Sequence, residues 1–144
     1  MIVADTGAII ALIDADDAHH EAMVQLFEED PAAWVLPWAI LPEVDFLVGR
    51  YVGTHAADAF HRDLVEGAFE VDWGHEDDLR RAQSIREQYA SLELGLVDSV
   101  VAAMAERLRA TAIATVDLRD FGALALIGQP KLYPRDHLTT GARR

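Results

Sequence analysis

The chain of 144 residues contains no cysteine and only one lysine, Lys131. Without cysteine there is no disulfide and no thiolate metal site, and a reducing compartment is compatible with the composition. Long apolar runs are also missing, and none approaches the ~20 residues that span a bilayer. The opening Met-Ile-Val-Ala-Asp has no basic region ahead of it and an acid at position 5, unlike a secretory signal. A cytoplasmic protein without membrane contact is therefore expected. Bases are scarce as well, with 12 Lys and Arg against 25 Asp and Glu and a formal net charge of -13. Such a surface repels nucleic acid at long range and favours a basic protein partner.

Hydrophobic residues make up 51% of the chain, enough for a folded core in place of disorder. No repeat and no low-complexity linker divides it, so a single domain over residues 1–138 is expected, with a flexible tail at 139–144. Strand and helix signals alternate. Short apolar runs at 2–5, 33–37, 69–71, 112–116 and 131–133 read as strands. Helical spacing is expected over 8–14, 19–29, 40–51, 54–65, 75–89 and 94–108, with Thr54 as an N-cap. Pro42 is tolerable only in the first turn of its helix. This order implies an α/β fold with a parallel sheet covered by helices, whose ligands bind beyond the carboxyl ends of the strands.

Four acids fall at that edge. Asp5 and Asp117 each follow a strand. Asp98 lies in the first turn of the helix that leads into the 112–116 strand, and Glu43 lies in the first turns of the helix after 33–37. Each alone has a plain structural reading: Asp5 as a helix N-cap, Glu43 and Asp98 as partners of helix dipoles, Asp117 as the cap of the turn Leu-Arg-Asp-Phe. Together they pose an electrostatic problem. Two carboxylates ~4 Å apart repel by roughly 4 kcal/mol at an effective dielectric of 20, so a cluster needs protons or a cation. A pocket of oxygen donors without His or Cys suits Mg²⁺ or Mn²⁺. Such an ion can activate water and stabilise charge on a phosphoryl group, and phosphodiester hydrolysis is the natural chemistry.

Four segments carry a family resemblance: VADTGAIIAL at the N-terminus, LPEVDFLV at 41–48, LGLVDSVVAAMAERL at 94–108 and IATVDLRDF at 113–121. In this order they resemble the motif regions of PIN-domain proteins, and more narrowly those of the VapC toxins of bacterial VapBC toxin–antitoxin pairs. The resemblance covers nearly the whole chain. It implies a three-layer fold with a central, mostly parallel sheet of four or five strands. It also implies a Mg²⁺- or Mn²⁺-dependent endoribonuclease, often acting on tRNA or rRNA, that pairs with a VapB-like antitoxin and forms a homodimer. The catalytic acids would be Asp5, Glu43, Asp98 and Asp117. Asp5 and Asp98 would bind metal most directly, Asp117 directly or through water, and Glu43 would complete the pocket or orient the nucleophile. Thr6 matches a hydroxyl residue beside the first acid and would hydrogen-bond into the site, and Asp120 is a further acid near the pocket. Gly7 departs from the Ser that many relatives carry there.

Other features are read more plainly. His19 and His20, adjacent on a helix, point in different directions and suit a solvated helix start rather than a second metal site. Trp34 belongs to the core, whereas Trp38 and Trp73 remain open to contact with RNA bases. Arg80, Arg81 and Arg86, interleaved with acids, suit a solvated, salt-bridged face. Two other functions are to be distinguished: a PIN fold that binds without catalysis, and a phosphoacceptor signalling domain, which would need paired acids after the first strand and a nearby lysine. A dinucleotide site is disfavoured because no glycine-rich fingerprint follows the first strand.

Overall fold

The structure is a computed structural model and describes residues 1–137. The tail expected at 139–144 lies outside the described residues. Five parallel strands form one sheet: β1 (Ile2–Ala4), β2 (Trp34–Pro37), β3 (Glu70–Asp72), β4 (Ala112–Ala114) and β5 (Lys131–Tyr133), in the order β3-β2-β1-β4-β5. Among the described residues the α-helices are α1 (Thr6–Ile13), α2 (His20–Glu29), α3 (Leu41–Tyr51), α4 (Thr54–Glu66), α5 (Glu76–Gln88), α6 (Leu96–Arg107) and α7 (Leu118–Ala123). The chain builds outward from β1 in one direction, through β2 to β3, and then in the other, through β4 to β5. The central strand is thus the switch point of the sheet, where open α/β sheets carry their ligand crevice.

The strands are short and wholly apolar at the centre. Val3, Ala4, Leu36, Ile113 and Ala114 are buried on both faces, as expected of a parallel sheet covered by helices. α6 carries a run of small residues, Ala102, Ala103 and Ala105, that is buried almost all round the helix. Small side chains there and at Ala4, Ala112 and Ala114 leave room for close helix-on-sheet packing. Elsewhere in the core Phe27 meets Trp34 edge-on at 5.3 Å and continues to Phe69 at 5.6 Å and Phe60 at 6.0 Å. Trp34 is a core residue, as its strand pattern indicates, although its indole Nε1 finds no acceptor among the described residues.

Several local expectations are corrected. Gly53, at φ +137°, precedes α4 and its carbonyl accepts from Ala56 and Ala57, so Thr54 is the first helical residue and not the cap. β3 is shifted one residue toward the C-terminus, and α6 starts at Leu96, with Leu94 buried ahead of it. His20 is half-buried and its Nδ1 meets the Ala11 carbonyl at 2.6 Å, tying α2 to α1, while His19 is exposed. Pro42 sits in the first turn of α3, where no donor is missed.

The arginine-rich face is only partly solvated. Arg80 pairs with exposed Glu76 and Asp77, but Arg81 reaches across to α6 and donates both Nε and Nη2 to Glu106, at 2.6 and 3.0 Å. Arg107 at the end of α6 donates to Asp78 at 2.8 Å and to Asp72 at 2.7 Å. Asp78 is only 3% exposed, and its other oxygen accepts from the His75 backbone at 2.9 Å. One guanidinium thus joins α6, the start of α5 and the end of β3. Replacing Arg107 by Leu leaves Asp78 buried and unpaired, and is expected to lower stability by about 2–4 kcal/mol in urea unfolding, whereas Arg80→Ala changes it little. Asp72 is held below its usual carboxylate range by Arg107 and Gly74 against the opposing effect of burial. Its share of the stability is therefore present above the ordinary carboxylate range and lost as pH falls through the lowered value.

Candidate active site

Asp5 is the residue after β1, and its backbone N–H extends the ladder to the Ala114 carbonyl at 2.9 Å. Its carboxylate caps α1 by accepting from the Thr6 backbone at 2.8 Å. The other oxygen accepts from the Thr115 hydroxyl at 3.0 Å, which in turn accepts from the Asp117 backbone at 2.9 Å. Thr115 therefore locks the carboxylate at the end of one central strand to the backbone beyond the other. It lies within the 113–121 motif segment, but only the register of β1 against β4 shows that it stands beside Asp5.

Asp117 caps α7 by accepting from the Asp120 backbone at 3.0 Å. This short helix turns Asp120 back toward the crevice, so that Asp98, Asp117 and Asp120, all half-buried, offer carboxylate oxygens within 4.8 Å of one another. Asp98 occupies the first turn of α6. Asp5 and Glu43 stand outside that group of three. Asp5, 5% exposed, lies behind it, and Glu43 is exposed at the rim in the first turn of α3. The four expected acids and Asp120 thus share one edge of the sheet, and Asp120 joins Asp98 and Asp117 in the closest group.

Electrostatics records the crowding. Burial raises the Asp5 carboxyl to about 7, aided by the charges of Asp98 and Asp117 against the hydrogen bonds from Thr6 and Thr115. Burial also raises Asp98 to about 6, with Asp117, Asp120 and Glu43 adding repulsion. Thr6 Oγ1 is buried beside these acids without a hydrogen-bond partner among the described residues. Gly7 has a steric reason: a Cβ there would stand 2.6 Å from Val116 Cγ2. The donor set is oxygen only, converges from different elements and includes an orphaned hydroxyl, which fits a hard divalent cation. A cavity of about 600 Å³ between α5 and the start of α6 is lined by Leu79, Arg86 and Leu96 among others and contains none of the clustered acids.

Comparison with known proteins agrees with this geometry. The sequence profile of the PIN domain matches residues 2–125. The chain belongs to the PIN-domain family. Among PIN domains it is 32% identical over 127 residues to Ribonuclease VapC26 of Mycobacterium tuberculosis, a match that covers 88% of this chain and 94% of the relative. The crystal structure of VapC20 from the same organism, a sarcin-ricin loop cleaving toxin, superposes with a TM-score of 0.79 at 23% identity, covering 89% of this chain and 98% of that one. DNA-bound VapBC of Salmonella typhimurium gives 0.70 at 17% identity, covering 91% and 95%. At such identities the superpositions speak for the fold, and both are of the same PIN-like architecture. Among the described residues no helix of this PIN domain is long and apolar enough to cross a membrane.

The raised carboxyls set a pH dependence. Asp5 and Asp98 bind protons more tightly in the folded state than in the unfolded one, so their stabilising contribution is present below about pH 4 and lost as pH rises through 6 to 7. The melting temperature of the metal-free protein is expected to fall across that window. Asp5→Asn, which keeps the cap and removes the charge, should flatten the fall and stabilise the metal-free protein at pH 8 by on the order of 2 kcal/mol. A profile as steep in Asp5→Asn as in the wild type would remove Asp5 from this account.

Proposed function

We propose that this protein is a divalent-metal-dependent endoribonuclease acting as the toxin of a toxin–antitoxin pair. The observation that carries the reading is the acid cluster at the β1/β4 crevice, where Asp5 and Asp98 are pushed to about 7 and 6 by burial and by their neighbours. Similarity to Ribonuclease VapC26 supplies the substrate class. A purely structural cluster would be relieved by a basic side chain; here the acids face one another.

In this reading Asp98, Asp117 and Asp120 would hold Mg²⁺ or Mn²⁺, and Asp5 would complete the site from the sheet side. When bound, the ion supplies positive charge that lets the acids ionise together and polarises the scissile phosphodiester. The protein does the positioning. Thr115 and the Thr6 backbone fix both oxygens of Asp5, Asp117 is fixed through its own cap of α7, and the Thr6 hydroxyl is available to the site. Glu43, exposed at the rim, orients the attacking water or takes its proton. Water adds to phosphorus and the RNA oxygen on the far side leaves with a proton from solvent, so that one phosphodiester becomes two ends.

The same acidity supports a partner. A basic segment of a VapB-like antitoxin would be drawn to a chain of charge -13, and an Arg inserted among the acids would inhibit by displacing the metal. Solved relatives include toxin–antitoxin complexes. We also propose a homodimer, a cytoplasmic location, and tRNA or rRNA as the substrate. The reading of a PIN fold without catalysis is disfavoured by the complete acid set, and no feature of the crevice supports a phosphoacceptor domain, since the sole lysine, Lys131, begins edge strand β5.

Cleavage of RNA is expected with Mg²⁺ or Mn²⁺ and not in EDTA. Asp98→Asn should lower the rate by at least about a hundredfold. Thr115→Val should lower it about tenfold, with Thr115→Ser restoring most of the loss. Full activity in Asp98→Asn would overturn the site, and full activity in the presence of excess cognate antitoxin would sink the inhibitory route.

A further inference from the structure

Trp73 is the one tryptophan that the core does not use. Trp34 is 1% exposed and Trp38 is half-buried, but Trp73 is 75% exposed. It follows β3 directly, at the carboxyl edge of the sheet. β1 pairs with β2 through Val3 and Val35, and β2 pairs with β3 through Pro37 and Asp72, so Asp5 lies level with Pro37 and Asp72. Trp73 is therefore one residue beyond the level of Asp5 and two strand spacings away, about 10 Å along the same edge.

The backbone that presents it is rigid on both sides. Asp72 Oδ1 accepts from the Gly74 backbone at 2.9 Å and from Arg107 at 2.7 Å. His75 donates to the buried Asp78 at 2.9 Å. Gly74 has φ +81°, and a Cβ on it would stand 2.5 Å from the Trp38 indole nitrogen, so this turn is seated on the Trp38 ring. A large aromatic is thus held in solvent on a fixed base, an arrangement that lowers the ordering cost of a contact made there. Its neighbours in the chain are polar or small: Asp72, Gly74, His75 and Glu76. The nearby acids Glu76 and Asp77 are matched by Arg80. An exposed ring flanked in the chain by polar and small residues suits a flat aromatic ligand better than the contiguous apolar core of a protein interface.

We propose that Trp73 is a base-stacking platform for the RNA substrate, holding a base a nucleotide or two from the scissile phosphate. The inference rests on the ribonuclease reading above and deepens it. The overall charge of -13 gives phosphates little long-range attraction. Stacking is a binding mode that needs no charge and tolerates any base.

The test separates this proposal from the nuclease reading by measuring binding without cleavage. A single-stranded RNA of mixed sequence, about eight nucleotides long, is titrated into the protein in EDTA. Wild-type tryptophan fluorescence should be quenched, Trp73→Phe should bind with similar affinity but lose the quench, and Trp73→Ala should bind about tenfold more weakly. With Mg²⁺ the Trp73→Ala loss should fall on KM and not on kcat, with Trp73→Phe restoring KM and the melting temperature unchanged. Trp73→Ala binding and cleaving this RNA as wild type does would overturn the platform and leave the nuclease intact. Loss of affinity for a basic protein partner in Trp73→Ala, with RNA affinity unchanged, would overturn it in favour of protein docking. Quenching and the Trp73→Ala loss without any cleavage would support the platform and count against the nuclease.

Discussion

A buried carboxylate that faces other carboxylates has few stable states at neutral pH: it holds a proton, or a cation joins it. Asp5 is in that position, at the end of the central strand, and the architecture around it follows from the need to keep it there. Both of its oxygens are spoken for, by the Thr6 backbone and the Thr115 hydroxyl. It cannot swing away to relieve the repulsion of Asp98 and Asp117, so the repulsion is stored in the fold. The stored repulsion makes the edge receptive to positive charge, whether a metal ion or a basic side chain.

The second constraint is mechanical. α6 carries Asp98 in its first turn and Arg107 in its last. The first end faces the acid cluster, where like charges push it outward. The last end is bound to Asp78 and Asp72, where opposite charges hold it. The core between them is apolar and tightly packed, so the helix has little freedom to tilt. The same guanidinium braces the turn at 72–75, so the placement of Asp98 and that of Trp73 share one anchor.

How much of this was legible in the sequence depends on the range of the interaction. The α/β architecture and the edge location of Asp5, Glu43, Asp98 and Asp117 follow from local signals: an apolar run that ends in an acid, or an acid in a first helical turn. Asp120 looked auxiliary because its direction depends on α7, a six-residue helix whose existence rests on the Asp117 cap. Thr115 was missed because its partner lies on a neighbouring strand and only sheet register brings them together. Arg81 reads from sequence as part of a solvated, charged face, since nothing local tells a solvated pair from one that crosses between helices. The Thr54 cap failed for a local reason, as Gly53 reaches a backbone angle that a residue with a side chain rarely adopts.

Gly7 adds a constraint of a different kind. Because a side chain at position 7 would press on Val116, the size of residue 116 limits what position 7 can hold. They sit one in the first turn of α1 and the other between Thr115 and Asp117, so the contact joins the segments that follow β1 and β4. A serine at position 7, as the resemblance leads one to expect, becomes acceptable here once residue 116 is smaller. The segments that follow β1 and β4 are therefore coupled through packing, and a side chain grafted at position 7 calls for a matching change at position 116.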